Sequence, residues 1–183
     1  MGSAVTKDEV LEFWYRESTP AQWFRKDKHF DSQIRDRFEE LVDQALRGEH
    51  DDWAENNEGA LALIIVLDQF TRNIFRDSAR AYSGDALALE LSQRIVAGGT
   101  WTQLDPSQKH FLLIPMMHSE DLNVQDAALP LFQEHTPHDV YDSALRHRDI
   151  IARFGRFPHR NGVLGRDSTD EEEAFLRTPG SSF

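Results

Sequence analysis

The chain has 183 residues, of which 39% are apolar, 28% are charged and 10% are aromatic, and it contains no cysteine. This composition excludes a disordered or fibrous chain, and the lack of cysteine excludes a disulfide framework, a thiol nucleophile and a thiolate metal site. The formal net charge of −12 argues against nucleic acid as a partner, because an acidic field repels a polyanion.

Hydrophobic spacing predicts helices along almost the whole chain and no alternating strand. The first helix is predicted over residues 7–17. The second begins at an Asp31 cap, carries one apolar stripe and ends at Gly48. The third, over about residues 58–75, has apolar residues around its whole circumference, so it is predicted to be the central, buried helix.

The later helix boundaries are marked by capping residues, prolines and glycines. The fourth helix is predicted from Ser83 or Asp85 to Gly98-Gly99, with Leu87, Leu91 and Ile95 facing inward. Pro115 is expected to end or kink the fifth helix. The last four starts are Asp105-Pro106, Ser119-Glu120-Asp121, Thr136-Pro137, which leads to Phe154-Gly155, and Ser168-Thr169, which leads to Leu176.

Eight such helices with short connections predict an all-α fold of antiparallel pairs, as one domain over residues 4–177. Residues 1–3 and 178–183 are expected to be loose ends. No segment approaches the roughly 20 apolar residues of a membrane span, and the first residues lack the charged-then-apolar pattern of a signal peptide. A cytoplasmic protein without a membrane partner is therefore expected, and its oligomeric state is left open.

Two residues of the apolar third helix require an explanation. Asp68 places a carboxylate in apolar surroundings, where it has to be paired or turned toward a polar cavity. Arg72 lies at i,i+4 spacing, so the two side chains can form an ion pair that also ties two helices together. The alternative interpretation is that the pair lines a ligand pocket.

Two histidines also stand out. His147 lies on the inward stripe of the seventh helix, as a hydrogen-bonded core residue or as a ligand, and His118 lies at the corner between two predicted helices. A plain helix junction is the alternative for His118. The opposite face of the seventh helix carries an alternating charge ladder that is predicted to be exposed and outside any site, namely Asp142, Arg146, Asp149 and Arg153.

The loop of residues 155–162 has the highest density of functional side chains, with Arg156, His159 and Arg160 between two glycines. Arginine forks bind carboxylate or phosphate, and glycines let backbone N–H groups approach an anion. The loop belongs to residues 146–166, which hold six arginines and one acid in an otherwise acidic chain. Alternatively, Arg156 and Arg160 pair with Asp68 or with Glu120 and Asp121 and lock helices together.

Metal binding is not indicated by any motif, so neither a metal nor a cofactor is expected. His135-x-x-His138 spans a proline-containing turn, and no His-Glu-x-x-His helix is present. A set of His118, Glu120 and His147 is geometrically possible, but no spacing predicts it.

Several of these residues fall in motifs that resemble the bacterial domain-of-unknown-function 924 family. The motifs are LDQFTRN at 67–73, PMMHSED at 115–121, FGRFPHRN at 154–161 and LGRDST at 164–169, with Trp23-Phe24, Asp27 and Phe30-Asp31 matching nearer the N-terminus. The resemblance covers about residues 10–176, and it implies a tetratricopeptide-repeat-like helical fold and no established reaction. Thr71 stands where the family pattern has proline, a difference that should not disturb a helix.

Two classes of function remain. In the first, the protein binds a small phosphate- or carboxylate-bearing molecule, with or without catalysis, and in the second it is a helical-repeat scaffold for a peptide or protein. A closed polar pocket where the motifs converge favours the first, and a broad groove favours the second. If a histidine with a pKa near 6.5 contributes, anion binding should strengthen toward pH 6. The candidate ligand-binding residues are Asp68, Arg72, Asn73, His118, Glu120, His147, Arg156, His159 and Arg160.

Overall fold

The computed structural model describes residues 4–182, and every regular element in this range is helical, which confirms the predicted all-α fold. Nine helices follow one another in these residues, one more than predicted, because a short helix, α2, begins at Pro20. The helices are α1 (Lys7–Glu12, continued by a π segment, Phe13–Glu17), α2 (Pro20–Trp23), α3 (Lys28–Leu46), α4 (Asn57–Ile64, continued by a π segment, Ile65–Phe70, and a last α turn, Thr71–Ile74), α5 (Asp85–Gly98), α6 (Pro106–Met117), α7 (Leu122–His135), α8 (His138–Phe154) and α9 (Asp170–Leu176). Short 3-10 segments lie at Asp51–Glu55, Ala79–Tyr82, Thr100–Gln103 and Pro158–Arg160.

The central helix α4 is as buried as its sequence predicts, since residues 59–71 are all buried. The Asn56 side chain caps its first turn by accepting a hydrogen bond from the Gly59 N–H at 2.9 Å. Its middle widens into a π segment, a geometry that is rare and found often at functional sites. At Thr71 the side-chain hydroxyl donates to the Leu67 carbonyl at 2.8 Å, and the helix continues through this residue.

For two helices, the predicted N-terminal capping residue is wrong. Asp27, not Asp31, caps α3, because its carboxylate accepts hydrogen bonds from the N–H groups of His29 and Phe30. Asp31 lies buried in the first turn instead. Likewise α7 is capped by Asp121 and not by Ser119.

Two further helix expectations are corrected. Pro115 does not end α6, which continues to Met117. Leu87 does not face inward, because 42% of it is exposed, and α5 instead turns Ala88, Leu91 and Ser92 to the core.

Aromatic side chains fill the space between α1, α3 and α4. The rings of Phe38 and Phe70 stack with their centroids 4.7 Å apart, and Phe13 and Trp14 contact the same Phe70 ring. Helices α6, α7 and α8 pack successively, and a smaller cluster beyond them joins Ile151 and its neighbours to the loop after α8. The core therefore holds α4 in place from several sides.

None of the described helices is long and apolar enough to cross a membrane. At the C-terminal end, Ser181 is buried and its hydroxyl donates to the Leu176 carbonyl at 3.1 Å, so the described end packs against α9. The predicted loose ends at residues 1–3 and 183 lie outside the described residues.

Candidate functional site

A cavity of about 620 Å³ opens where the C-terminal turn of α4 meets α6, α8 and the loop after α8. Its lining carries an excess of positive charge, with six cationic side chains and two carboxylates, although the whole chain is acidic. The carboxylates are those of Asp77 and Asp139, and the cations are Arg25, Lys26, Arg72, Arg76, Arg146 and Arg160. Four of the eight histidines also line it, namely His110, His118, His147 and His159.

Asp68 lies directly behind the cavity wall, in the π segment of α4. It is fully buried, and its Oδ1 atom lies 2.7 Å from Nδ1 of His118 and 3.2 Å from the Arg72 guanidinium. The Gln69 amide donates to the other carboxylate oxygen at 2.7 Å. Burial by itself raises the pKa of a carboxyl group, but the Arg72 charge and the hydrogen bonds from His118 and Gln69 outweigh it and hold the pKa of Asp68 well below its usual range. Asp68 is therefore a buried anion with a partner on each oxygen.

Arg72 begins a chain of alternating charges that joins two arginines of the cavity lining through Asp85. Its guanidinium donates two hydrogen bonds to Asp85, at 2.8 and 3.0 Å, which is the bidentate geometry of a strong pair. Asp85 also accepts from Arg160 at 3.3 Å, and Arg160 in turn donates to the His118 carbonyl at 2.9 Å. The Arg160 guanidinium lies 4.6 Å from the centroids of two aromatic rings, those of Tyr82 and Phe157. The network ties α4, α5, α6 and the loop after α8 together.

The cavity histidines are held in the neutral state by burial. Burial lowers the pKa of His147 to about 3 and the pKa of His110 to about 4. Burial together with the neighbouring Arg160 charge lowers the pKa of His159 to about 4. The basis for stronger anion binding near pH 6 than near pH 8 is therefore absent in the free protein, since these three rings carry no charge at either pH.

His118 differs from the other three because a carboxylate orients it. Nδ1 faces the buried Asp68, so it carries the hydrogen of the neutral ring and leaves Nε2 as an acceptor. The side chain is 14% exposed and lines the cavity, whereas Asp68 has no exposure. No group among residues 4–182 pairs with Nε2. A histidine oriented in this way by a carboxylate can act as a general base toward a molecule in the cavity.

Six of the nine residues predicted from the sequence line this one cavity, and these are Arg72, Asn73, His118, His147, His159 and Arg160. Asp68 supports the cavity from behind through His118. The three motifs that stood out in the sequence therefore meet in space. The Asp68–Arg72 ion pair forms as the first interpretation predicted, and Arg72, but not Asp68, also lines the cavity.

Glu120 and Arg156, by contrast, do not line the cavity. Glu120 accepts a bidentate pair from Arg166, at 2.7 and 3.0 Å, and a hydrogen bond from the Phe157 N–H. Arg156 binds the Glu172 carboxylate at 2.7 and 2.8 Å and lowers the pKa of that carboxyl group to about 2. These two residues tie the loop after α8 to its neighbours. The structural alternative for the loop predicted ion pairs of this kind, but the partners in the structure are different.

Sequence reasoning missed part of the cavity wall. Arg146, assigned to the exposed ladder of α8, lies next to His147 at the cavity, and nothing in that ladder distinguishes it from the other charged residues. Asp85 does not line the cavity, but it pairs with the lining residues Arg72 and Arg160, and the sequence predicted it only as a helix start. Arg25, Lys26 and Arg76 carried no signal, because they come from segments that only the fold brings to the site.

The metal set that the sequence left open does not form. Across residues 4–182, no group of three histidine, aspartate or glutamate side chains is placed to hold a metal ion. Glu120, which such a set would need, is turned toward Arg166.

Comparison with known proteins supports the sequence resemblance. A model of the family described as bacterial protein of unknown function, DUF924, matches residues 10–180. A solved structure of a protein of unknown function from Agrobacterium tumefaciens has 38% sequence identity and a TM-score of 0.88, and the match covers 93% of this chain and 96% of that one. No curated protein sequence shows a match. With almost the whole chain matched by the family model, the protein belongs to the DUF924 family of bacterial proteins.

Proposed function

We propose that the protein binds a small organic anion, with a carboxylate or phosphate group, in the cavity between α4, α6 and α8. The observation that carries this proposal is the excess of six cationic side chains over two carboxylates in the cavity lining of a chain with net charge −12. Arginines concentrated at one concave site attract an anion and offer it paired N–H donors. A volume of about 620 Å³ accommodates a metabolite-sized molecule.

Arg160 supports the proposal from the cavity floor. It is 6% exposed, and its Nε–H has no acceptor among the described residues. A buried donor without a partner is costly, so an acceptor oxygen of a ligand would improve its environment. Arg72 and Arg160 are already partly compensated by Asp85, whereas no ion pair with a described residue compensates the exposed Arg146.

The alternative of a tetratricopeptide-repeat-like scaffold for a peptide or protein has less support. Such a scaffold would use a broad exposed groove. The large hydrophobic residues that are exposed within residues 4–182 are Phe24, Leu87 and Leu164, and only Phe24 lines the cavity. These side chains form no extended apolar surface.

The proposal is tested by thermal shift with phosphate, sulfate, sugar phosphates, nucleotides and dicarboxylates. A ligand at a hundred times its dissociation constant stabilises the fold by roughly 2.7 kcal/mol, so at least one anion should raise the Tm by several degrees. Arg146→Ala should weaken this response. Arg94→Ala is the matched control, because Arg94 is also exposed but lies on α5 outside the cavity lining.

Two outcomes would contradict anion binding at this site. One is that no anion raises the Tm of the parent protein. The other is that Arg146→Ala and Arg160→Lys both respond as the parent does, because a ligand bound by the cavity arginines cannot be indifferent to both changes.

A second candidate function, general-base catalysis on the bound anion, is favoured by the 2.7 Å bond between Asp68 and His118. His118 Nε2 would accept a proton from the ligand and return it to solvent or product, with Asp68 as a positioning residue. The test follows the proton NMR spectrum of each stabilising anion in D2O. Loss of a carbon-bound proton signal, or appearance of a product, should require His118, so His118→Gln should bind without either change. Unchanged spectra for every stabilising anion with the parent protein would contradict this second function.

A further inference from the structure

The most exposed large hydrophobic side chain among the described residues lies at the cavity. Phe24 is 62% exposed, and it forms part of the cavity lining together with its chain neighbours Arg25 and Lys26. Scattered single hydrophobic residues on a surface are ordinary. Phe24 differs from Leu87 and Leu164, the other two in this range, because it lies beside cationic side chains at a concave site.

The Phe24 ring is held flat against a stack of rings. It lies on His110 with the centroids 5.7 Å apart and the planes 19° apart, and nearly parallel to Phe111 at 6.3 Å. Both of those rings are buried, so the stack supports Phe24 on one side. The exposed part of Phe24 is then a preformed aromatic surface for another flat ring.

The charge on these rings also matters for what can stack on them. The lowered pKa of His110, about 4, keeps this ring uncharged at neutral pH, and Phe24 carries no charge. The positive charge that attracts an anion comes from the arginines and Lys26 instead. One wall of the cavity is therefore aromatic and neutral, and cationic side chains outnumber carboxylates in the lining as a whole.

We infer that the anion bound in the cavity carries a planar aromatic or heteroaromatic ring, which stacks on Phe24 while its carboxylate or phosphate group faces the arginines. This inference rests on the proposed function and names the class of its ligand. An offset stack contributes beyond the simple burial of area. The ring should tighten binding by about three- to tenfold over an aliphatic group of similar size.

Matched pairs of ligands separate the ring from the charge. Inorganic phosphate is compared with phenyl phosphate, and cyclohexanecarboxylate with benzoate, by titration calorimetry on the full chain. Benzoate and cyclohexanecarboxylate have the same charge and similar size, so a difference between them reports aromatic stacking. Phenyl phosphate should bind more tightly than phosphate, and benzoate more tightly than cyclohexanecarboxylate.

Variants of Phe24 test whether the ring of the ligand stacks on this side chain. Phe24→Ala should remove the preference for benzoate, and Phe24→Trp should keep it. Leu87→Ala removes an exposed hydrophobic side chain from α5, outside the cavity lining, and should leave the preference unchanged. Because Phe24 is exposed, its replacement should leave the fold intact, which the unfolding transition of each variant checks.

The results also distinguish this inference from the proposed function. If phosphate or cyclohexanecarboxylate binds but the aromatic partner of each pair gains nothing, the aromatic ligand class is wrong while anion binding stands. The same conclusion follows if Phe24→Ala keeps the benzoate preference. If none of the four probes binds at millimolar concentration, the aromatic inference fails together with binding of these anions.

Discussion

Asp68 and His118 are separated by fifty residues of chain, and their side chains are joined by a hydrogen bond of 2.7 Å. The bond connects the π segment of the central helix α4 to the residue directly after α6. The His118 carbonyl accepts a further bond from Arg160, so the same corner also holds the loop after α8. One buried carboxylate thus fixes the position of a cavity histidine and, through it, part of the cavity wall.

We expect Asp68→Asn to destabilise the protein by about 3–5 kcal/mol, because removing one partner of a buried ion pair leaves the other partner uncompensated. Arg72 would keep only Asp85, and His118 would lose its charged acceptor. Urea denaturation, with the slope of the transition checked for two-state behaviour, measures the loss.

Asp43→Asn is the control for the Asp68 variant. Asp43 also pairs with an arginine, Arg80, at 2.7 Å, but both side chains are more than 40% exposed. Exposed pairs contribute up to about 1 kcal/mol, so the control should lose little. Equal losses in the two variants would mean that the burial of Asp68 has no energetic consequence.

Stability should fall as the pH is lowered from 7.5 to 5, because the cavity histidines resist protonation only in the folded state. The pKa of His147 is about 3 in the fold and about 6.5 in an unfolded chain, so the unfolded state binds more protons throughout this window. At pH 5 one such histidine costs about 2 kcal/mol of stability relative to pH 7.5. The ionised carboxylates with lowered pKa lose their contribution only below about pH 4, outside this range.

The measurement is the free energy of unfolding at pH 7.5 and at pH 5. His147→Gln should reduce the difference between the two, because its side chain does not titrate. His138→Gln, which replaces a histidine with an 84% exposed side chain at the start of α8, should leave the difference unchanged. A parent protein as stable at pH 5 as at pH 7.5 would contradict the neutral, buried state of these rings.

Arg156→Ala should lower the Tm without changing the response to anions. Its guanidinium holds Glu172, whose side chain is 3% exposed, and also donates to the Asp167 carbonyl at 2.8 Å. Loss of this tie should loosen α9 and the loop before it, while the cavity lining stays the same. Thermal shift with and without phosphate or a dicarboxylate checks both statements, and a lost anion response with an unchanged Tm would place Arg156 in the ligand site after all.

Much of the fold follows from the sequence, because helix starts, apolar stripes and whole-circumference burial are local signals. The central helix, the cap at Asp105 and the start of the last helix at Ser168-Thr169 could all be predicted in this way. The π segments were not readable, since α and π turns use the same residue types and the extra residue is accommodated by tertiary packing. The exposure of Leu87 was missed for a similar reason, as which stripe of α5 faces inward depends on where α4 lies.

The candidate site, like the fold, could be predicted from the sequence only in part. Residues that contradict their local surroundings, such as Asp68 in an apolar helix and His147 on an inward stripe, stand out in the sequence and do meet at the cavity. Arg146 belongs to an ordinary solvent-exposed pattern, and only its position beside the cavity gives it a second role. The sequence also could not predict which carboxylate each arginine of the loop pairs with. The fold pairs Arg156 with Glu172 and Arg160 with Asp85.

Gly84, at the start of α5, is a position where the fold admits no side chain. A Cβ atom there would lie 2.1 Å from the carbonyl oxygen of Leu67 and 2.8 Å from its carbonyl carbon, and both atoms belong to the backbone of the central helix. A contact this short with backbone cannot be relieved by a side-chain rotation. The start of α5 would have to move away from α4, and the next residue, Asp85, is the carboxylate that pairs with Arg72 and Arg160.

We therefore expect Gly84→Ala to destabilise the protein by about 1–3 kcal/mol or more, the range typical of overpacking, and also to weaken any anion response by displacing Asp85. Gly98→Ala, at the other end of the same helix, is the matched control, because a Cβ there meets no atom within 4 Å and alanine favours the helix. It should be neutral or stabilising by up to about 1 kcal/mol. Urea denaturation of both variants measures the effect on stability, and thermal shift with the best anion measures the effect on binding. If Gly84→Ala is as stable as Gly98→Ala, then the start of α5 does not pack directly against the backbone of α4. The expected effect of this position on the Arg72–Asp85–Arg160 chain would then also be wrong.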